Sequence, residues 1–93
     1  HVIVDEFQDI SRGRGRLLRA LLGQVPDRRL FCVGDDWQGI FRFAGADIAQ
    51  MTAFGDHFGH ARRCDLTRTH RFNDALLAAS STFVQRNPAQ LRK

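Results

Sequence analysis

Two short apolar runs, each stopping on carboxylates, constrain this chain more than any other feature. Val2-Ile3-Val4 ends at Asp5-Glu6, and Leu30 to Val33 ends at Gly34-Asp35-Asp36. Continuous apolar runs of this length, rich in β-branched residues, read as strands buried on both faces of a parallel sheet. Between them Leu17, Leu18, Leu21 and Leu22 recur at helical spacing, with Arg12, Arg14, Arg16 and Arg19 towards water. Strand, helix, strand is a βαβ unit, which implies a parallel pair and a right-handed crossover. The fold class is therefore α/β. Ligands in open α/β sheets bind beyond the carboxyl ends of the strands, so Asp5, Glu6, Asp35 and Asp36 are expected to converge on one crevice.

The remaining elements follow from caps and periodicity. Ser11 is a natural N-cap for the first helix. Gly13 and Gly15 each weaken its first turn by about 1 kcal/mol relative to Ala, so that end is expected to be loop-prone. Gly23 closes the helix and Pro26-Asp27 turns the chain. Asp47 with Gln50 resembles a capping pair opening a second helix that carries Ile48, Met51, Phe54 and Phe58. Cys64 and Leu66 alternate with Asp65 and Thr67, which predicts a third strand near residues 62–68. Asn73 caps a third helix with an apolar stripe of Phe72, Leu76, Ala79 and Phe83, flanked by Leu77 and Val84 and ended by Asn87-Pro88.

Ninety-three residues make one small domain or a piece of a larger one. A chain that opens on His1 with a strand under way is expected to be a fragment, with apolar surface left where missing strands would pair. The net charge of +4 and pI near 10.4 are a prior for a polyanionic partner, and on charge alone an Arg-rich surface on a soluble domain accounts for them more simply. Cys32 and Cys64 form no C-x-x-C pair and read as buried, reduced thiols of a cytosolic protein. No apolar run approaches the roughly 18 residues of a membrane span, so no membrane partner is expected.

The stretch Phe31 to Ile48, FCVGDDWQGIFRFAGADI, carries most of the chemistry. A strand ending in carboxylates and an amide, followed by aromatics beside a cation, suits a site holding phosphate at one end and stacking bases at the other. Asp5-Glu6 suits metal-assisted phosphoanhydride hydrolysis, the Asp holding Mg²⁺ and the Glu taking a proton from water. From spacing alone Phe41 and Phe43 read as core residues or as base platforms, and Arg71 as a surface arginine. The spacing of His57, His60, Cys64 and His70 matches no common zinc pattern.

Taken in order, VIVDEFQD, VGDDWQGIFRFAGAD and LTRTHRFN resemble the second, third and fourth helicase motifs of the UvrD/Rep-type superfamily-one DNA helicases. Trp37, Phe-Arg-Phe-Ala-Gly, Arg63-Cys64-Asp65-Leu66 and Arg71-Phe72-Asn73 look closest to the bacterial helicase IV branch. The resemblance implies a partial RecA-like P-loop NTPase motor domain. Residues 1–93 would be the C-terminal portion of the first motor domain, with the P-loop upstream and the second motor domain downstream. It implies ATP and Mg²⁺ as cofactors and single-stranded DNA and duplex junctions as partners. It also implies a cytoplasmic, nucleoid-associated protein of DNA repair. Asp5 would be the Mg²⁺ ligand, Glu6 the catalytic base and Gln38 a γ-phosphate contact. Arg71 would be an arginine finger and His70 an adenine contact. Phe41 and Phe43, with Arg42 between them, would bind DNA. Gln8, Asp9 and Asp35 would couple the nucleotide site to the DNA.

The sequence departs from the family pattern in several places. Phe41 stands where Tyr is usual, Phe43 where Trp is commoner, His70 where Tyr packs on adenine, and Phe72 where Ser is usual. Trp37 replaces an acidic residue and is expected to pack rather than bind metal. Two other readings remain open: a non-catalytic DNA-binding or regulatory remnant of a helicase, and an unrelated Mg²⁺-dependent phosphohydrolase using Asp5 and Asp35. The isolated 93 residues are expected neither to hydrolyse ATP nor to unwind DNA.

Overall fold

The computed structural model describes residues 1–68, 70–71 and 73–88. The chain divides into two compact units, His1–Ala61 and Arg62–Lys93, and each is described by itself.

In the first unit, β1 (Val2–Val4) pairs in parallel with β2 (Leu30–Cys32), with Ile3 opposite Phe31. Helix α1 (Arg12–Gly23) links them, so the expected βαβ unit is present. The strands are apolar throughout, yet one face of the sheet is covered and the other is not. Val2, Val4, Leu30 and Cys32 pack against the core, whereas Ile3 and Phe31 are 74% and 63% exposed. Burial on both faces was the expectation, and within this unit nothing covers the second face.

The core consists of Phe7, Ile10 and Leu18, the buried apolar residues among those described. Phe7 lies in a 3-10 turn, Phe7–Asp9, directly after β1. Its ring meets Phe54 at 5.6 Å and Phe58 at 5.7 Å between centroids, in tilted and edge-on geometry. Such aromatic pairs add about 0.5–1.5 kcal/mol beyond area burial.

Helix α1 begins at once after its cap, where Ser11 Oγ accepts from the Arg14 N–H at 3.3 Å. Gly13 and Gly15 are therefore helical, not loop. Gly15 is buried, and a Cβ there would overlap Gln50 Oε1. The poor helix former is present because another element crosses close to the helix axis.

That element is the expected second helix, and it is broken in two. Helix α2 (Ala49–Thr52) and helix α3 (Phe54–Phe58) meet at Ala53, whose φ of −110° and ψ of 39° interrupt the helix. Asp47 caps the start, its Oδ1 accepting from the Ala49 N–H at 3.2 Å. The Asp47 N–H goes to Ile10 O and not to Gln50. The buried Gln50 side chain accepts from Arg19 at 3.2 Å and meets His57 Nε2 at 3.4 Å. Met51, Phe54 and Phe58 pack on the core, as their helical spacing predicts.

In the second unit, helix α4 (Asp74–Val84) is capped by Asn73, whose Oδ1 accepts from the Leu76 N–H at 2.9 Å. Phe72, the first residue of the predicted stripe, lies outside the described residues. Leu76 and Phe83 are 54% and 76% exposed. The predicted strand at 62–68 is not formed. Cys64 is exposed and Leu66 is 85% exposed. Alternation fixes which side chains would share a face, but a strand also needs a ladder partner, and none pairs with this segment among the described residues. No helix of the described residues is long and apolar enough to cross a membrane.

Candidate nucleotide and nucleic-acid site

Backbone bonds carry the strand pairing beyond the strands themselves. The Val33 N–H donates to Val4 O and the Phe7 N–H to Val33 O, both at 2.9 Å. The loops that leave β1 and β2 therefore run side by side. Asp5 and Glu6 are exposed at the end of β1. Glu6 adopts the left-handed conformation (φ 49°, ψ 44°), and its N–H donates to Asp5 Oδ1 at 2.9 Å. That backbone is uncommon outside glycine and costs on the order of 1 kcal/mol.

The buried Gln8 joins the two loops. Its Nε2 donates to Glu6 Oε2 at 2.7 Å, and its Oε1 accepts from the Asp35 N–H at 3.0 Å. Asp35 continues the chain: its Oδ1 accepts from the Trp37 N–H at 3.2 Å and its Oδ2 from Gln38 Nε2 at 2.7 Å. Glu6, Gln8, Asp35 and Gln38 thus form one hydrogen-bonded series. Gly34 makes it possible, since a Cβ there would lie 2.8 Å from Gln8 Oε1 and 3.0 Å from the Phe7 nitrogen.

The expected convergence of four carboxylates is partly met. Asp5, Glu6 and Asp35 sit on the adjoining loops, but Asp36 is 1% exposed and buried within the turn Asp36–Gln38. Asp9 is half-buried with its Oδ1 enclosed. With Asp5 and Glu6 it borders a groove of about 350 Å³ whose apolar wall is Leu17, Leu18 and Leu21 of α1.

Phe41 and Phe43 lie not in a strand but in a 3-10 turn, Phe41–Ala44, which ends at Gly45. The Gly45 and Ala46 N–H groups close it on Arg42 O and Phe41 O. Phe41 is 44% exposed and Phe43 87%, so neither is a core residue of the first unit. Their rings stand 5.8 Å apart, tilted by 41°, with Arg42 exposed between them. The chain leaving this turn is tied to the start of α1. Ser11 and Ala46 form an antiparallel bridge, the Asp47 N–H donates to Ile10 O at 2.9 Å, and Arg12 Nε donates to Asp47 Oδ2 at 2.7 Å. The Arg12 hydrogen bond holds the Asp47 carboxyl below the usual carboxylate range. Trp37 is half-buried beside Gln38. His70 and Arg71 are exposed residues of the second unit.

Residues 1–59 match the UvrD/REP helicase N-terminal domain. The chain belongs to that family. The whole chain is 52% identical to DNA helicase IV of Escherichia coli K12, 32% to the ATP-dependent DNA helicase UvrD1 of Mycobacterium tuberculosis, and 29% to DNA helicase II of E. coli K12. It spans 14% of the length of the first of these relatives and 13% of the other two. Within the UvrD/REP family the match is to the N-terminal domain and ends at residue 59, so the stretch holding His70 and Arg71 falls outside it. The identity to DNA helicase IV does extend through that stretch.

Proposed function

We propose that the chain is a segment of an ATP-dependent DNA helicase, in which it supplies part of the ATP site and part of a single-stranded DNA track. One observation carries the reading: the series Glu6–Gln8–Asp35–Gln38 links a strand-end carboxylate to an amide that stands three residues before an exposed aromatic turn. Family membership and the motif order support it. The three motifs are those read as the second to fourth, within the first of two RecA-like motor domains.

In this reading Glu6 takes a proton from a water as the water oxygen bonds to the γ-phosphorus and the bond from that phosphorus to the bridging oxygen breaks. Asp5 fits a Mg²⁺ ion, because that ion is held by one or two carboxylates together with waters and substrate phosphates. Bound there, the ion neutralises charge on the phosphate oxygens. Gln38 contacts the γ-phosphate and Arg71 stabilises charge developing on it. His70 stacks on adenine. Phe41 and Phe43 stack on bases, and Arg42 meets the DNA backbone. Gln8, Asp9 and Asp35 couple the two ends. The protein works in the cytoplasm on nucleoid DNA and its junctions.

The test is ATP hydrolysis by the full-length protein, with and without single-stranded DNA, for the parent and Glu6→Gln. Stimulation by DNA that vanishes in Glu6→Gln is expected. Truncating Phe41 or Phe43 to Ala should cost about 1–3 kcal/mol of single-stranded DNA binding per lost stack. DNA binding without hydrolysis would mark a non-catalytic remnant. Hydrolysis indifferent to DNA would remove the role given to Phe41 and Phe43.

A further inference from the structure

We infer that Gln8 is the positioning residue of Glu6, holding its carboxylate in place through an amide whose orientation Gly34 and the Asp35 backbone dictate. The inference deepens the proposed hydrolytic role of Glu6 and rests on it.

The direction of every bond in the series is chemically fixed. A backbone N–H can only donate, so the Asp35 N–H must meet the amide oxygen of Gln8. The amide NH₂ therefore faces Glu6, and it too can only donate, at 2.7 Å to Oε2. Oε2 therefore accepts, which leaves Oε1 as the oxygen to face a water. Gln8 is 2% exposed, so this amide has little water to turn towards. Gly34 permits the approach, because a Cβ would stand 2.8 Å from Gln8 Oε1. Glu6 meets the amide from a left-handed backbone, a conformation that needs holding. Its exposure leaves the other carboxylate oxygen reachable by water.

Because Asp35 also accepts from Gln38, the amide senses where the end of β2 lies. A displacement of that loop would turn the amide and release Glu6 from its aimed position. The bond that places the base is then the same bond that reports the position of the loop leading to Phe41.

The experiment measures kcat and KM for ATP in the full-length protein with saturating single-stranded DNA. The variants are Gln8→Met, Gln8→Glu, Gly34→Ala and Gln8→Met/Gly34→Ala, with Glu6→Gln as reference. Gln8→Met should lower kcat about ten- to a hundredfold with KM nearly unchanged, as misplacing a catalytic group does. In Gln8→Glu the amide donor becomes a second carboxylate against Glu6, so kcat should fall at least as far as in Gln8→Met, again with KM nearly unchanged. Gly34→Ala should resemble Gln8→Met, and the double variant should be no worse than either single one, because both remove one interaction.

An unaltered kcat in Gln8→Met overturns the inference, as does a loss that falls on KM as much as on kcat, since a merely structural loss would look that way. Additive losses in the double variant also overturn it. Parent-like turnover in Glu6→Gln would instead overturn the proposed function, and so separates the two failures.

Discussion

Cys32 and Cys64 differ in what surrounds their sulfurs. Cys32 lies in β2 against the core, and burial pushes its thiol up to about 11. At pH 8 it should hold roughly a hundredfold less thiolate than an ordinary thiol, and thiolate is the reactive form. Cys64 is exposed in the second unit. Alkylation at pH 8 followed by mass spectrometry should therefore modify Cys64 well before Cys32. Both were read as strand thiols from neighbours that look alike in sequence. A strand partner separates them: Cys32 pairs with Val4, while residues 62–68 have no partner among those described. Glu6 and Gln8 show the complementary case. Their residue types and order pointed to chemistry, but the left-handed turn that brings them together was not visible in the sequence.

At the scale of elements, α1 holds two glycines with opposite consequences. A Cβ on Gly13 would meet only Ser11 Oγ, at 3.9 Å, whereas a Cβ on Gly15 would overlap Gln50 Oε1. Gly13→Ala should raise stability by about 1 kcal/mol, the helix-propensity gain. Gly15→Ala should give no gain and instead lose about 1–3 kcal/mol to overpacking. Denaturant unfolding of the two variants checks the pair, and equal effects would mean that α2 does not press on α1 as described. Intrinsic propensity treats both glycines as faults in a helix. Their difference is set by Gln50, thirty-five residues away from Gly15 in the chain.

The whole molecule covers its apolar surface only in part. In the first unit Ile3 and Phe31 form an uncovered strip on the sheet, and in the second unit Leu76 and Phe83 stand exposed on α4. Large apolar patches of this kind mark surfaces that normally pack against something. The isolated 93 residues should bind a hydrophobic dye strongly and show weak cooperativity on heating. A sharply cooperative, dye-free chain would contradict the account of its exposed faces.

Local pattern carried the βαβ order, the Ser11 and Asn73 caps, the apolar faces of the helices and the identity of the polar residues at the strand ends. These depend on neighbours within one or two turns, so the sequence states them directly. The division of the second helix, the missing strand at 62–68, the one-sided sheet, the burial of Asp36 and the 3-10 turn beneath Phe41 and Phe43 depend on distant groups. So does the bond from Gln8 to Asp35, which spans 27 positions and exists only because β1 and β2 lie side by side. A hydrogen bond of that kind is set by the geometry of packed backbone, and no periodicity along the chain encodes it.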